Sequence, residues 1–246
     1  MQPAPFELFG TAHNVVMALN VVVAAGLVRV VRRYDSERVA KSVCVGFALI
    51  LMVNQIMNWV YRFVVDGREL FIQEHLPLHL CGMSAILSVV ALLTRNRLAY
   101  ELVYFWGLAG ATNAVVTPAL DAGWPEYHFI QYYISHGGIV VTAVLMTWGL
   151  GMRPTFRSLL RAFFILNGLA AVMTGFNLLT GANYMYLSEQ PVTDSPFLFF
   201  DWPWYILWLE VLALGFFALC YLPVHLERRL ACRATGPEAA AEAAAN

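Results

Sequence analysis

Residues 14–63 read NVVMALNVVVAAGLVRVVRRYDSERVAKSVCVGFALILMVNQIMNWVYRF. Two apolar runs flank a basic knot that carries Arg29, Arg32, Arg33, Arg38 and Lys41. A helix needs about 20 apolar residues to cross the hydrocarbon core of a bilayer. Each run is long enough, and the knot is what a chain presents where it leaves the membrane on its cytoplasmic side and turns back.

The same pattern extends outward. Of the 246 residues, 60% are hydrophobic and 13% charged, where soluble domains hold about a quarter charged. Mean hydropathy is +0.63. Seven stretches have the length and apolarity of a crossing: roughly 11–31, 41–63, 77–94, 98–119, 127–150, 158–180 and 202–224. The expected fold is therefore all-α, a polytopic membrane protein built as a seven-transmembrane-helix bundle. Residues 1–230 read as one membrane domain and 231–246 as a low-complexity cytoplasmic tail. The opening MQPAPFELFG lacks a basic n-region, so the first run is expected to be retained. Cys44, Cys81, Cys220 and Cys232 show no paired spacing, which argues against a disulfide framework.

Charge sets the expected direction. Arg95 and Arg97 follow the third run, Arg153, Arg157 and Arg161 the fifth, and Arg228, Arg229 and Arg233 the seventh. The other loops hold only Arg62 and Arg68, beside Asp66, Glu69 and Glu74. Basic residues gather on the cytoplasmic side, so the N-terminus is predicted outside and the C-terminus inside.

With depth assigned, the polar residues cluster toward the outer halves: Asn54 and Asn58 on the second run, His79 and Cys81 on the third, Asn113 and Thr117 on the fourth. His128 and His136 follow on the fifth and Asn177 on the sixth. Buried polar groups are costly unless paired, and ionisable ones within a membrane usually mark function. For any single Asn or Thr, hydrogen-bond glue between helices is the commoner role. As a set they suggest one polar cavity open to the outer leaflet.

Cys81 stands at the mouth of that cavity, just after Pro77, a good first helical residue. A buried thiol needs a base to act as a nucleophile. His79 is two positions away and points to another face of the helix; His136 is the better partner. Cys81 is thus read as nucleophile, His136 as base, and Asn113 or Asn58 as orienting partner or oxyanion donor. Spacing alone favours the plainer role of Cys81 as a small core hydrophobe, like Cys44 and Cys220.

The chain resembles the YwaF-type bacterial integral membrane proteins through LPLHLCGMS at 76–84, GLAGATNAVVTP at 107–118, YYISHGG at 132–138, NYMYL at 183–187 and PWYI at 203–206. That group is similar to eukaryotic membrane phospholipid-remodelling acyltransferases, which use one cysteine and one histidine. The resemblance implies a bacterial inner or plasma membrane location, with Cys81 and His136 in those two roles. It also implies phospholipid acyl donors and acceptors as partners, without cofactor, metal or nucleic acid.

Two rival readings stand beside it. One is a metal-dependent intramembrane hydrolase in which His75 or His79 joins Cys81 and His136 as ligands. The other is a seven-helix receptor or transporter. A retinal protein is nearly excluded, because its Schiff base needs a buried lysine and the only lysine, Lys41, lies at the cytoplasmic border. The aromatic group Tyr184, Tyr186, Phe197, Phe199, Phe200, Trp202, Trp204, Tyr205 and Trp208 reads as an interfacial belt, with a lid as the second choice.

Overall fold

The computed structural model describes residues 5–190 and 199–245, with side chains described as far as residue 230. Phe197 and the Cys232 side chain therefore lie outside the described residues. Among the described residues the regular structure is all helical. Its one non-helical pairing among the described residues is an antiparallel bridge between Pro5 and Ala122.

Helix α1 spans Thr11–Tyr34 and α2 Glu37–Leu70, prolonged by a π-helical turn at Phe71–His75. Next come α3 at Leu80–Thr94 and α4 at Arg97–Leu102, a π-helical stretch at Val103–Ala111, and α5 at Thr112–Val116. Helix α6 is Tyr127–Val144, extended by a π-helical turn at Leu145–Gly149; α7 is Phe156–Thr180 and α8 Trp204–Ala245. Local chemistry sets the boundaries. Asn96 caps α4 by accepting from the Ala99 N–H at 3.0 Å, and Thr155 and Ser158 form a reciprocal capping box on α7. Gly181 ends α7 at φ 72°, where an L side chain would be strained.

Among the described residues, five helices are long and apolar enough to cross a membrane: Thr11–Tyr34, Glu37–His75, Tyr127–Gly149, Phe156–Thr180 and Trp204–Leu230. The other two of the seven expected runs, the third and the fourth, fall outside that set. The third begins at Leu80 rather than after Pro77 and has only 15 residues, because residues 76–79 form a turn, with the Leu78 N–H on the Leu76 carbonyl at 2.7 Å. The fourth is no uniform α-helix, since nine of its residues wind as π-helix. The second run is longer than expected and bends at Gly67, where φ is 78°. The backbone of α8 continues helically through the low-complexity stretch.

Burial sorts the helices into inner and outer. Tyr100, Val103, Tyr104 and Phe105 are fully enclosed, because the fourth segment packs against α3, α6, α7 and α8. Of the apolar stretch of α6, 61% is buried, against 11% for α1 and α8. The outer helices expose Leu178, Leu179, Val64 and Val21, an apolar surface far too continuous for water. It is a multi-pass membrane fold.

The loops that carry the basic residues meet at one end. Arg32 donates to the Trp148 carbonyl at 2.7 Å, and Arg95 pairs with Glu37 at 3.0 Å. Buried Glu101 accepts from Arg97 at 2.8 Å, Ser158 at 2.7 Å and Arg161 at 2.9 Å. Arg153 reaches Glu227 at 3.3 Å. At the opposite end lie the Phe6 N–H on the Asp121 carbonyl at 3.0 Å and His75 on Asp66 at 2.9 Å.

Candidate active site

Cys81 is the second residue of α3, with His79 extended before it as the N-cap. The segment is tight: a Cβ on Gly82 would meet the Pro77 Cα at 3.0 Å. The thiol is only partly accessible. It sits in the first turn, where free N–H groups and the macrodipole favour negative charge. One turn deeper, the Ser84 hydroxyl is buried without a hydrogen-bond partner among the described residues.

Helix α6 packs against α3 and supplies His136. Its Nδ1 lies 3.0 Å from the Tyr132 carbonyl. A carbonyl only accepts, so Nδ1 carries the proton, and in the neutral ring Nε2 keeps its lone pair. Tyr132 also stacks on the imidazole at 4.0 Å, tilted by 29°, and its phenol donates to the Ala114 carbonyl at 3.1 Å.

The other residues singled out from the sequence divide. Asn54 bridges α2 to α6 by donating to the Gln131 carbonyl at 3.3 Å. Asn58 and Asn113 are half-buried, and their amides hold no hydrogen bond among the described residues. Thr117 is exposed, with its hydroxyl on the Asn113 carbonyl at 3.0 Å. His128 belongs elsewhere: it meets Tyr61 edge-on at 5.2 Å, near the Arg62–Asp66–His75 group. Asn177 is buried and spends both ends of its amide on the backbone of Tyr184, at 2.9 and 3.0 Å.

The sequence reading missed the strap at Tyr184–Tyr186. Tyr184 is fully buried; its hydroxyl donates to the Ile72 carbonyl at 2.8 Å and accepts from the Leu76 N–H at 3.0 Å. His79 Nδ1 accepts from the Met185 N–H at 3.3 Å, and its ring lies beside both tyrosines. His79 is therefore the strap's anchor and not a partner of His136. Desolvation by the surrounding protein holds the Tyr186 phenol above the ordinary tyrosine range, so it keeps its proton. The signal was present in NYMYL, where two tyrosines follow an asparagine in a loop that had been assigned to the interfacial belt.

Among the described residues no three His, Cys, Asp or Glu side chains converge as metal ligands. His75 is turned to Asp66, His79 to the strap and His136 to its own helix. The rival metal-ligand set is not assembled.

The model of the TMEM164 family matches residues 8–221, which include every one of these groups. The chain belongs to the TMEM164 family. This overturns the YwaF-type assignment, which no match supports. The TMEM164-family match stops short of the low-complexity end of α8. The chain is also 26% identical over 191 residues to a protein of Treponema pallidum (strain Nichols) described as uncharacterized, covering 76% of this chain and 77% of that one. No solved structure matches.

Proposed function

We propose that this TMEM164-family protein is an integral membrane lipid acyltransferase, or an acyl hydrolase, in which Cys81 carries the acyl group and His136 is its base. One observation carries the reading: the Nδ1–H of His136 is held by the Tyr132 carbonyl, so the nitrogen left to take a proton is Nε2, on a helix that packs against α3, the helix that bears Cys81.

Nε2 takes the thiol proton while Sγ attacks the ester carbonyl of a donor lipid. The tetrahedral intermediate collapses to a thioester, and the lyso-lipid alkoxide leaves with the proton from His136. An acceptor hydroxyl then gives its proton to Nε2 and attacks the thioester, and the departing sulfur recovers the proton. The free amides of Asn58 and Asn113 are the candidate oxyanion donors. Water as acceptor makes the same site a hydrolase; a site closed to water makes it a transferase. Seven crossings with the N-terminus outside, in a bacterial cell membrane, would put Cys81 beneath the outer leaflet, with phospholipids as donor and acceptor.

The test is intact-mass analysis of purified protein incubated with phospholipid. The expected result is a fatty-acyl adduct on wild type that hydroxylamine removes and Cys81→Ala lacks. His136→Ala should slow adduct formation by roughly 10²–10⁴-fold, the usual worth of a positioned base. An adduct formed at an unchanged rate in either variant defeats the proposal.

A further inference from the structure

A hollow of about 240 Å³ lies at the start of α1, lined by Phe6, Glu7, His13, Trp124 and Phe129 among others. It is separate from the Cys81 group. On α6, Phe129 and Tyr133 approach Phe6 and His13, while His136 stands seven residues beyond Phe129, about 10 Å further along the axis, and neither it, Tyr132 nor Cys81 lines the space.

The hollow is built, not incidental. The Phe6 N–H bonds the Asp121 carbonyl at 3.0 Å, and Pro5 pairs with Ala122, so the N-terminal segment is fastened across the 121–124 loop. His13 is buried and clamps the floor. Its Nδ1 accepts from the Phe9 N–H at 2.9 Å, and its Nε2, at 2.9 Å, donates to the Val115 carbonyl. With one nitrogen accepting and the other donating, the ring is neutral.

That leaves one charge among the described lining residues. Within the described residues, Glu7 makes no ion pair or side-chain hydrogen bond, and no Lys or Arg lines the space. Its carboxylate is seated by Gly10, where an added Cβ would stand 3.1 Å from Oε2 and 2.8 Å from the Glu7 Cβ. Phe6, Trp124 and Phe129 make the lining aromatic: the rings of Phe6 and Phe129 lie 6.4 Å apart, and Trp124 meets Phe129 edge-on at 6.4 Å. A free carboxylate and several aromatic rings lining one small hollow are the chemistry that selects an organic cation over a hydrated metal ion. A water's share of the liquid is about 30 Å³, so the space suits a head of several heavy atoms.

We propose that this hollow binds an organic ammonium group, held by the Glu7 carboxylate and the rings of Phe6, Trp124 and Phe129. The group is either a free quaternary amine or the ammonium of a lipid head. The site is independent of any chemistry at Cys81.

The test uses the full chain in nanodiscs of phosphatidylglycerol, which has no ammonium head, with labelled choline as probe in excess sodium chloride. Saturable binding displaced by tetramethylammonium is expected. Glu7→Gln and Trp124→Leu, both at exposed positions, should each weaken it by roughly tenfold with an unchanged melting temperature. Phosphatidylcholine nanodiscs separate the sources: suppressed choline binding identifies the lipid head, and unchanged binding identifies a free amine. No saturable binding in phosphatidylglycerol, or wild-type binding by either variant, overturns the proposal.

Discussion

Asn177 teaches the most at the scale of a single side chain. Its place in a membrane helix beside other amides suggested a cavity lining, yet both ends of its amide are taken by the backbone of one residue, Tyr184. Composition and depth identify which residues must find partners; they do not say whether the partner is a ligand or the chain itself. The same limit applies to His79, read as part of the cavity and found accepting from Met185. Cys81 and His136 differ, because their neighbours leave a thiol and a ring nitrogen unspent. Asn177→Ala removes the two bonds that tie the strap to α7 and leaves buried backbone groups of Tyr184 unpaired, at a cost of about 1–3 kcal/mol. The expected outcome is a lower melting temperature together with faster proteolytic cleavage within 181–190. Asn177→Asp keeps the acceptor for the Tyr184 N–H but loses the donor, and should fall between Asn177→Ala and wild type.

Among the elements, α6 is the one that organises the site, and its glycine pair explains how. Gly137 and Gly138 follow His136 directly. A Cβ on the first would overlap the Asn20 amide of α1, and one on the second would overlap Leu51 of α2. Gly107 on the fourth segment makes a third notch, where a Cβ would stand 2.5 Å from the Ile139 Cγ2. The glycines do not break the helix, which runs unbroken from Tyr127 to Val144; they let three neighbours approach it closely. Of the seven apolar runs, those with a plain hydrophobic pattern were legible, and α6 begins at Tyr127 as expected. The third and fourth were legible only as apolar stretches. The turn after Pro77 and the π-helical winding around Tyr104–Trp106 answer to tertiary packing, to which hydropathy is blind. Gly137→Ala should cost about 1–3 kcal/mol by overpacking, read as a lower melting temperature in detergent. Asn20→Ala in the same chain should recover most of the loss, which a general fall in stability from glycine replacement would not do.

For the whole molecule, the decisive fact is that the charge links separate into two ends. Glu101, 3% exposed, joins Arg97, Ser158 and Arg161 at one of them. Glu101→Gln keeps the shape but strands two arginines that are half in solvent, so a loss of about 1–3 kcal/mol is expected, below that of a fully buried pair. The links also trace the path of the two segments too short or too irregular to count as crossings. Residues 80–94 start beside the Asp66–His75 pair and finish at the Arg95–Glu37 pair. Residues 97–116 then return toward the Phe6–Asp121 contact. At 1.5 Å per residue these paths are about 22 and 30 Å long, and both are wrapped by longer helices, so neither needs a full apolar surface of its own. The proposed seven crossings would use these two paths, and under the positive-inside rule they would put the Arg95 end in the cytoplasm and the Cys81 end outside. The prediction is read in intact cells with a membrane-impermeant thiol reagent, on a chain whose native cysteines are replaced. Ser188→Cys, exposed in the loop after the strap, should label at once. Ser42→Cys, exposed near the start of α2, should label only after the membrane is opened. The opposite pattern would invert the molecule and put Cys81 and His136 under the inner leaflet, with donor and acceptor lipids drawn from the cytoplasmic face.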